Sequence, residues 1–485
     1  MAATGDRIGA QEIVSGAQSK AETEVEAEAG SGPDSHSGRQ HGEQIRALQQ
    51  QILEMQRKLE SMQAQLSDLQ RDRETESQAA SVPEFRPSPG FDPYIDRDPR
   101  ADSEAELAEA DEAGRPLTPE QLDQRVSTLE AVSDEWLRRI KLGGAVRLNY
   151  AWRDFDEDSK DRVGDFELEL FRINADGEIG NVQLSAEWRR YNDFQAIHHA
   201  WVGYRFSERL QTRIGISKVP FGILPFASHS FWFGGTYYLG FEDDYDTGIQ
   251  FIHKPSHDWT FHYAFFKNPE YANDSRLARY SFDLVTQGDQ QNSEINQLNL
   301  RAERHLTFAD LGTLDLGVSL QGGQIFNSIT RKKGERYAVA GHANASLGRW
   351  HVQLQGLRYE FKPENPPGVA DNFMQMGAFE FPFLVASKAN VYTVNVARSF
   401  SASIGPISGG TCYNDFTFID PKVRDSADSI QNVTGCSLVA GGVFAYFDWI
   451  TGKNMWFAGG DGIGRDAATA GKWRSRLNVN IGFYF

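Results

Sequence analysis

The chain contains no long apolar run. No segment approaches the roughly 18 to 20 apolar residues that a membrane helix needs, and mean hydropathy is −0.50 with 40% hydrophobic residues, which excludes a helical membrane protein. Cysteine is nearly absent: Cys412 and Cys436 are the only two among 485 residues. They lie 24 residues apart on apparently successive strands, where an oxidising compartment would join a well-placed pair, and a disulfide stands open at this stage. No Ser/His/Asp grouping stands out, so no enzyme and no cofactor are expected. No charged start followed by a 7-to-15-residue apolar core follows Met1; with the signal peptide absent from this chain, export is inferred from the fold.

Aromatics and glycine are abundant. Phe, Tyr and Trp make up 12% of residues and 45 glycines are scattered among short alternating segments, a composition that suits strands, tight turns and aromatic girdles. The net charge of −18 is unevenly spread: residues 1–140 hold 29 Asp and Glu against 15 Lys and Arg, whereas residues 141–485 hold 38 against 34. The acidity belongs to the N-terminal arm, and the nearly balanced remainder allows local fields of either sign.

That arm divides by pattern. Residues 1–42 are rich in Ala, Glu, Gly and Ser and read as disordered. Within residues 43–74, Ile45, Leu48, Ile52, Met55, Leu59, Met62, Leu66 and Leu69 alternate spacings of three and four, the seam of a self-associating coiled coil. Residues 75–117 read as a disordered acidic linker. A short helix is expected over 118–140, with Thr118 as cap and Pro119 in the first turn.

From residue 141 to 485 the period changes to two. Val146, Leu148, Tyr150 and Trp152 oppose Arg147 and Asn149; Val182, Leu184, Ala186 and Trp188 oppose Ser185, Glu187 and Arg189; Leu298 and Leu300 oppose Asn299 and Arg301. The final strand sets Leu477, Val479, Ile481, Phe483 and Phe485 against Asn478, Asn480 and Tyr484. An apolar face crowned by Trp and Tyr, a polar face suited to a water-filled lumen and a terminal aromatic predict an all-β fold. The expected architecture is a transmembrane antiparallel β-barrel preceded by the N-terminal α-helical coiled coil. At roughly 10 residues per tilted strand plus turns and loops, residues 141–485 give about 16 strands. Phe485 also resembles the C-terminal signal read by the bacterial barrel-assembly machinery. Between Lys218 and Asp246 the rhythm fails: Pro220, Phe221, Phe226, His229, Trp232 and Tyr237 crowd a segment too long for a hairpin. Folded inward, that segment would form a constriction loop.

Arg213-Ile-Gly-Ile-Ser-Lys218-Val-Pro-Phe-Gly222 resembles a strand-end segment of the phosphate-selective porin O and P family. Cys412-Tyr-Asn-Asp415 and the run from Val443 to Asn454 are similar to late-strand segments of that group, and the coiled coil is similar to that of related trimeric dicarboxylate porins. The resemblance implies an outer-membrane homotrimer of 16-stranded barrels, with a periplasmic trimerisation coil, that takes up small anions such as phosphate or carboxylates passively. Arg147, Arg189, Arg213, Lys218 and Arg301 are the expected anion path, since guanidinium forks and an ammonium bind such solutes weakly at several points. Glu167, Glu169, Glu187 and Glu303 share those polar faces, and no dense ladder of basic residues is found.

Other groupings point elsewhere. Glu242-Asp-Asp-Tyr-Asp246 lacks the ligand spacing of a dedicated calcium loop and reads as a solvated acidic loop. His198 and His199, adjacent on a strand, are expected on opposite faces and unable to share a metal; no metal site is expected. Expected partners are small anionic solutes, membrane lipid, lipopolysaccharide and two further copies of the chain, with no nucleic acid. A structural tether or adhesin with a closed barrel, and a general non-specific porin, remain the alternatives.

Overall fold

The computed structural model describes residues 139–272, 275–309 and 311–485. The arm (1–42), the coiled coil (43–74), the linker (75–117) and nearly all of the short helix lie outside the described residues. Ile140, expected in that helix, is instead the first residue of a strand and pairs with Gly177.

Alternating segments become strands in chain order: β1 (Ile140–Arg153), β2 (Asp165–Ile179), β3 (Val182–Tyr191), β4 (Gln195–Ser207), β5 (Leu210–Lys218), β6 (Tyr245–Ser256) and β7 (Trp259–Pro269). There follow β8 (Asp283–Leu284), β9 (Asn292–Phe308), β10 (Gly312–Asn327), β11 (Lys333–Leu347), β12 (Trp350–Lys362), β13 (Phe373–Ala378) and β14 (Phe381–Ala386). The last are β15 (Lys388–Ile404), β16 (Ile407–Pro421), β17 (Ser429–Ala440), β18 (Val443–Lys453) and β19 (Trp473–Tyr484). All except β8, β13 and β14 pair antiparallel with their neighbours in a closed barrel of sixteen strands. Pairing of β1 with β19, from Ala145 opposite Tyr484 to Arg153 opposite Arg476, seals it. Closure satisfies every strand edge, which a sheet surrounded by hydrocarbon requires.

The outward face is apolar. Ile214, Leu298, Leu300, Val318, Leu320, Val394 and Phe447 are exposed, whereas the intervening Asn299, Ser319, Asn395 and Asp448 are fully enclosed by the barrel. Each Leu- or Phe-sized side chain left in water forfeits ~1.5–3 kcal/mol, and a continuous belt of them is stable only under lipid. Aromatics rim the belt: Tyr204, Phe206, Trp259 and Trp350 near the two-residue links, Tyr337, Tyr392 and Trp473 toward the other end. Links of two residues join β2 to β3, β4 to β5, β6 to β7, β11 to β12, β15 to β16 and β17 to β18, while the long connections, 154–164, 219–244, 270–291, 363–387 and 454–472, leave the barrel at the opposite end.

The hydrophobic core lies inside the barrel. β14, β13 and β8 form a separate three-stranded sheet in that order. Its Leu284, Met374, Met376 and Val385 are buried in one cluster with Phe221, Tyr237, Tyr238 and Phe241 of residues 219–244 and with Phe457. At this level the lumen is packed with aromatic side chains, in place of the water expected from the polar strand faces alone.

Candidate functional site

Residues 219–244 fold into the lumen. The segment is pinched at its base, where Val219 N donates to Asp244 O (2.8 Å). Gly222 follows at φ +64°, a left-handed conformation that favours glycine, and a Cβ there would push aside Gln355 Oε1. Its N donates to Ser319 Oγ on β10 (3.0 Å) and its O accepts from Arg301 Nε on β9 (2.8 Å). Ile223 N donates to Gln355 Oε1 on β12 (2.9 Å). Farther along, Gln353 and Asn395 donate to the carbonyls of Phe226 and Ala227 (2.9 and 2.7 Å).

The tip is latched to β16. Asp415 Oδ2 accepts from the backbone N of His229 and Ser230 (2.7 and 2.8 Å), and Asp415 Oδ1 lies 2.7 Å from His229 Nδ1. His229 Nε2 meets His351 Nδ1 at 2.7 Å. Gly235 N donates to Thr417 Oγ1 (3.0 Å), and Gln431 of β17 donates to Phe233 O (2.9 Å). The segment thus leaves the wall between β5 and β6 and is held by the wall opposite.

All six residues expected in the constriction lie on this segment, in two settings. Pro220, Phe221 and Tyr237 are buried, with Tyr237 stacked on Phe233 (4.3 Å between ring centroids). Phe226, His229 and Trp232 are half-buried. Lys218 Nζ stands 4.4 Å from the Phe226 ring, and the Arg476 guanidinium 3.8 Å from Trp232.

The five basic residues expected to form one path divide into separate groups, most with a carboxylate. Arg147 makes a two-pronged contact with Glu169 (2.7 and 2.9 Å). Arg189 donates to Glu187 (2.5 Å), and Arg172, register partner of Arg189, stands 3.4 Å from the same carboxylate. Lys218 pairs with Asp243 (2.8 Å). On another stretch of wall Arg213 covers the Trp201 ring at 4.4 Å and is register partner of Gln250, whose amide meets His262. His262 in turn stands opposite Arg301, which donates to Glu303 (2.5 Å) as well as to Gly222. Arg301 is 3% exposed and serves as a brace for the inward segment. Arg172 and Arg476 belong to the site yet drew no attention in the sequence.

Two expectations are overturned. A register shift between Glu187 and Trp188 gives β4 one residue more than β3, so Glu187 pairs with His199 and Trp188 with Ile197. The bulge turns both histidines inward: they are buried, with their Nδ1 atoms 2.9 Å apart, and with Glu187 they place three ligand atoms within 4.8 Å. Glu187 is already committed to Arg189 and Arg172. Likewise Glu242, Asp243, Asp244 and Asp246 are 3–6% exposed rather than solvated, because the segment carries them into the barrel. Burial pushes the Glu242 carboxyl up to about 7 despite hydrogen bonds from Ser228 and Thr236 (both 2.6 Å). Burial acts the same way on Asp243, but the adjacent Lys218 ammonium overrides it and holds that carboxyl far below its usual range.

Cys412 and Cys436 are direct cross-strand partners on β16 and β17, joined by a disulfide.

No protein-family model matches the chain, and no curated protein aligns with it. Among solved structures it is similar to an anion-selective porin from Comamonas acidovorans (13% identity, 71% of this chain and 99% of that one, TM-score 0.47). It is also similar to the outer-membrane channel DcaP of Acinetobacter baumannii (10%, 71% and 97%, 0.46) and to the outer-membrane OmpT of Vibrio cholerae (10%, 71% and 97%, 0.45).

Proposed function

We propose that this chain is a bacterial outer-membrane porin, a non-enzymatic channel that lets small anionic solutes diffuse through a lumen narrowed by residues 219–244. The observation that carries this reading is the inward segment, tethered across a sixteen-stranded barrel whose enclosed wall is polar. Beside it Arg147, Arg172 and Arg189 on three adjacent strands form a cationic wall that Glu169 and Glu187 only partly neutralise, suited to weak, repeated contacts with carboxylate or phosphate. The resemblance to phosphate-selective and dicarboxylate porins supports the same solute class and a homotrimer assembled through residues 43–74.

Single-channel conductance and reversal potential in planar bilayers under a KCl gradient, followed by titration with phosphate and succinate, test it. Anion-selective current in steps of three, blocked by one of these solutes, is the expected result; cation-selective current overturns the arginine wall. A closed barrel acting as a tether is the second reading, favoured by the aromatic packing between the segment and the inner sheet, and folded protein without conductance would establish it.

A further inference from the structure

Asp244 ends the inward segment, Asp246 stands on β6 and Asp283 opens β8 of the inner sheet. Each offers one oxygen, and the three oxygens lie within 4.8 Å of one another although their residues are 1–6% exposed. Glu270 and Glu294 are buried close by. Among the described residues, the cations facing these five carboxylates are two guanidiniums. Arg279 lies 3.2 Å from Asp283 and 3.8 Å from Glu270, and Arg336 pairs with Glu294.

An independent observation comes from the polar atoms left over. Among the described residues, Oδ1 of Asp244 and Oδ1 of Asp246 have no hydrogen-bond partner, and neither has Oε1 of Gln297, a neutral side chain 3% exposed whose Nε2 donates to Asp246 Oδ2 (3.1 Å). Gln297 is no member of the acidic cluster, and its amide is seated on it; a flip about its last torsion exchanges donor for acceptor at that spot. Buried carboxylates in excess of their counter-charges are neutralised either by protons or by a further cation, and a cation is the one that also engages the leftover oxygens. An all-oxygen donor set selects a hard one, and an enclosed cage of protein oxygens suits calcium, since magnesium dehydrates reluctantly and keeps its waters.

We propose that Asp244, Asp246 and Asp283 form a calcium site, with Gln297 as a neutral oxygen donor, at the junction of the inward segment, the barrel wall and the inner sheet. The ion ties three separately folded pieces together, so its removal loosens the segment from its base.

The full chain, folded in detergent micelles free of lipopolysaccharide and stripped with EGTA, is titrated with calcium chloride by calorimetry. One ion per chain is expected, with affinity weakened at least tenfold in Asp246→Asn and unchanged in Asp193→Asn, an exposed carboxylate on another loop. Absence of calcium binding in the unaltered chain overturns the proposal, as does binding that survives Asp246→Asn. Should that variant fail to fold, terbium luminescence excited through the neighbouring tyrosines of the unaltered chain decides. A signal that calcium displaces supports the site, and no such signal overturns it.

Discussion

At the residue scale, strand alternation identified which side chains enter the lumen but not what they meet there. Arg147, Arg189 and Arg301 were legible as inward-facing, yet each has a carboxylate as its nearest partner, a relation between strands that no local period encodes. The misplaced histidines have a local cause. Register shifts insert Glu169 on β2, His198 on β4 and Asn296 on β9, and each reverses the face of everything beyond it. Glu242 yields a prediction with a definite sign. Its proton is held in the folded chain up to about pH 7 and lost near 4.5 in the unfolded one, so the folded state binds more protons between those values. Stability conferred by that proton is complete below 4.5 and falls as pH rises toward 7, by about 3 kcal/mol. Urea unfolding followed by tryptophan fluorescence at pH 4.5, 6 and 7.5 measures this slope, and Glu242→Gln should flatten it; an unchanged slope in the variant would assign the effect elsewhere.

At the scale of elements, the barrel strands were readable because one side of each faces lipid and the other a polar interior. The inner sheet was not, because β13 and β14 are only six residues each and read Phe-Met-Gln-Met-Gly-Ala and Phe-Pro-Phe-Leu-Val-Ala, with no apolar-polar alternation of the barrel kind. Their turn offered no signal either: Phe379 and Glu380 hold φ values of +52° and +68° where Asn or Gly is usual, and Phe379 is fixed there by packing on Tyr191, Phe194 and Tyr280. The inward course of residues 219–244 was legible from its aromatic content, but its anchor was not, since Asp415 is 186 residues from His229. Asp415→Ala removes the acceptor for two backbone amides and the His229 ring. With hydrogen bonds to a charged group worth ~1.5–3 kcal/mol each, the tip should come free. Limited chymotrypsin digestion of folded protein should then cut at Phe226 to Phe233 in the variant and spare the unaltered chain; equal resistance would show that the aromatic packing alone holds the segment.

For the whole molecule, the arrangement of polarity is the reverse of a water-soluble sheet protein, and that inversion is testable on the outer belt. Val318, 58% exposed at the middle of β10, should cost ~2–4 kcal/mol when replaced by Arg in a lipid-embedded barrel, against about 0.5 kcal/mol or less at an ordinary solvent-facing position. The urea midpoint of Val318→Arg in phospholipid vesicles distinguishes these, and a shift near zero would remove the lipid from that face.

The crossing of the lumen also sets an order of events. Residues 219–244 precede nearly all their anchors in the chain: Ser319, Gln355, Asn395, Asp415, Gln431 and Arg476 all come later. Until the strands that carry them are in place the aromatic segment lacks the far wall it rests on, and β19 meeting β1 completes the cylinder around it. Seating the segment therefore rests on contacts of long sequence separation, the kind that form slowly, and the C-terminal strands complete a structure begun some two hundred residues earlier.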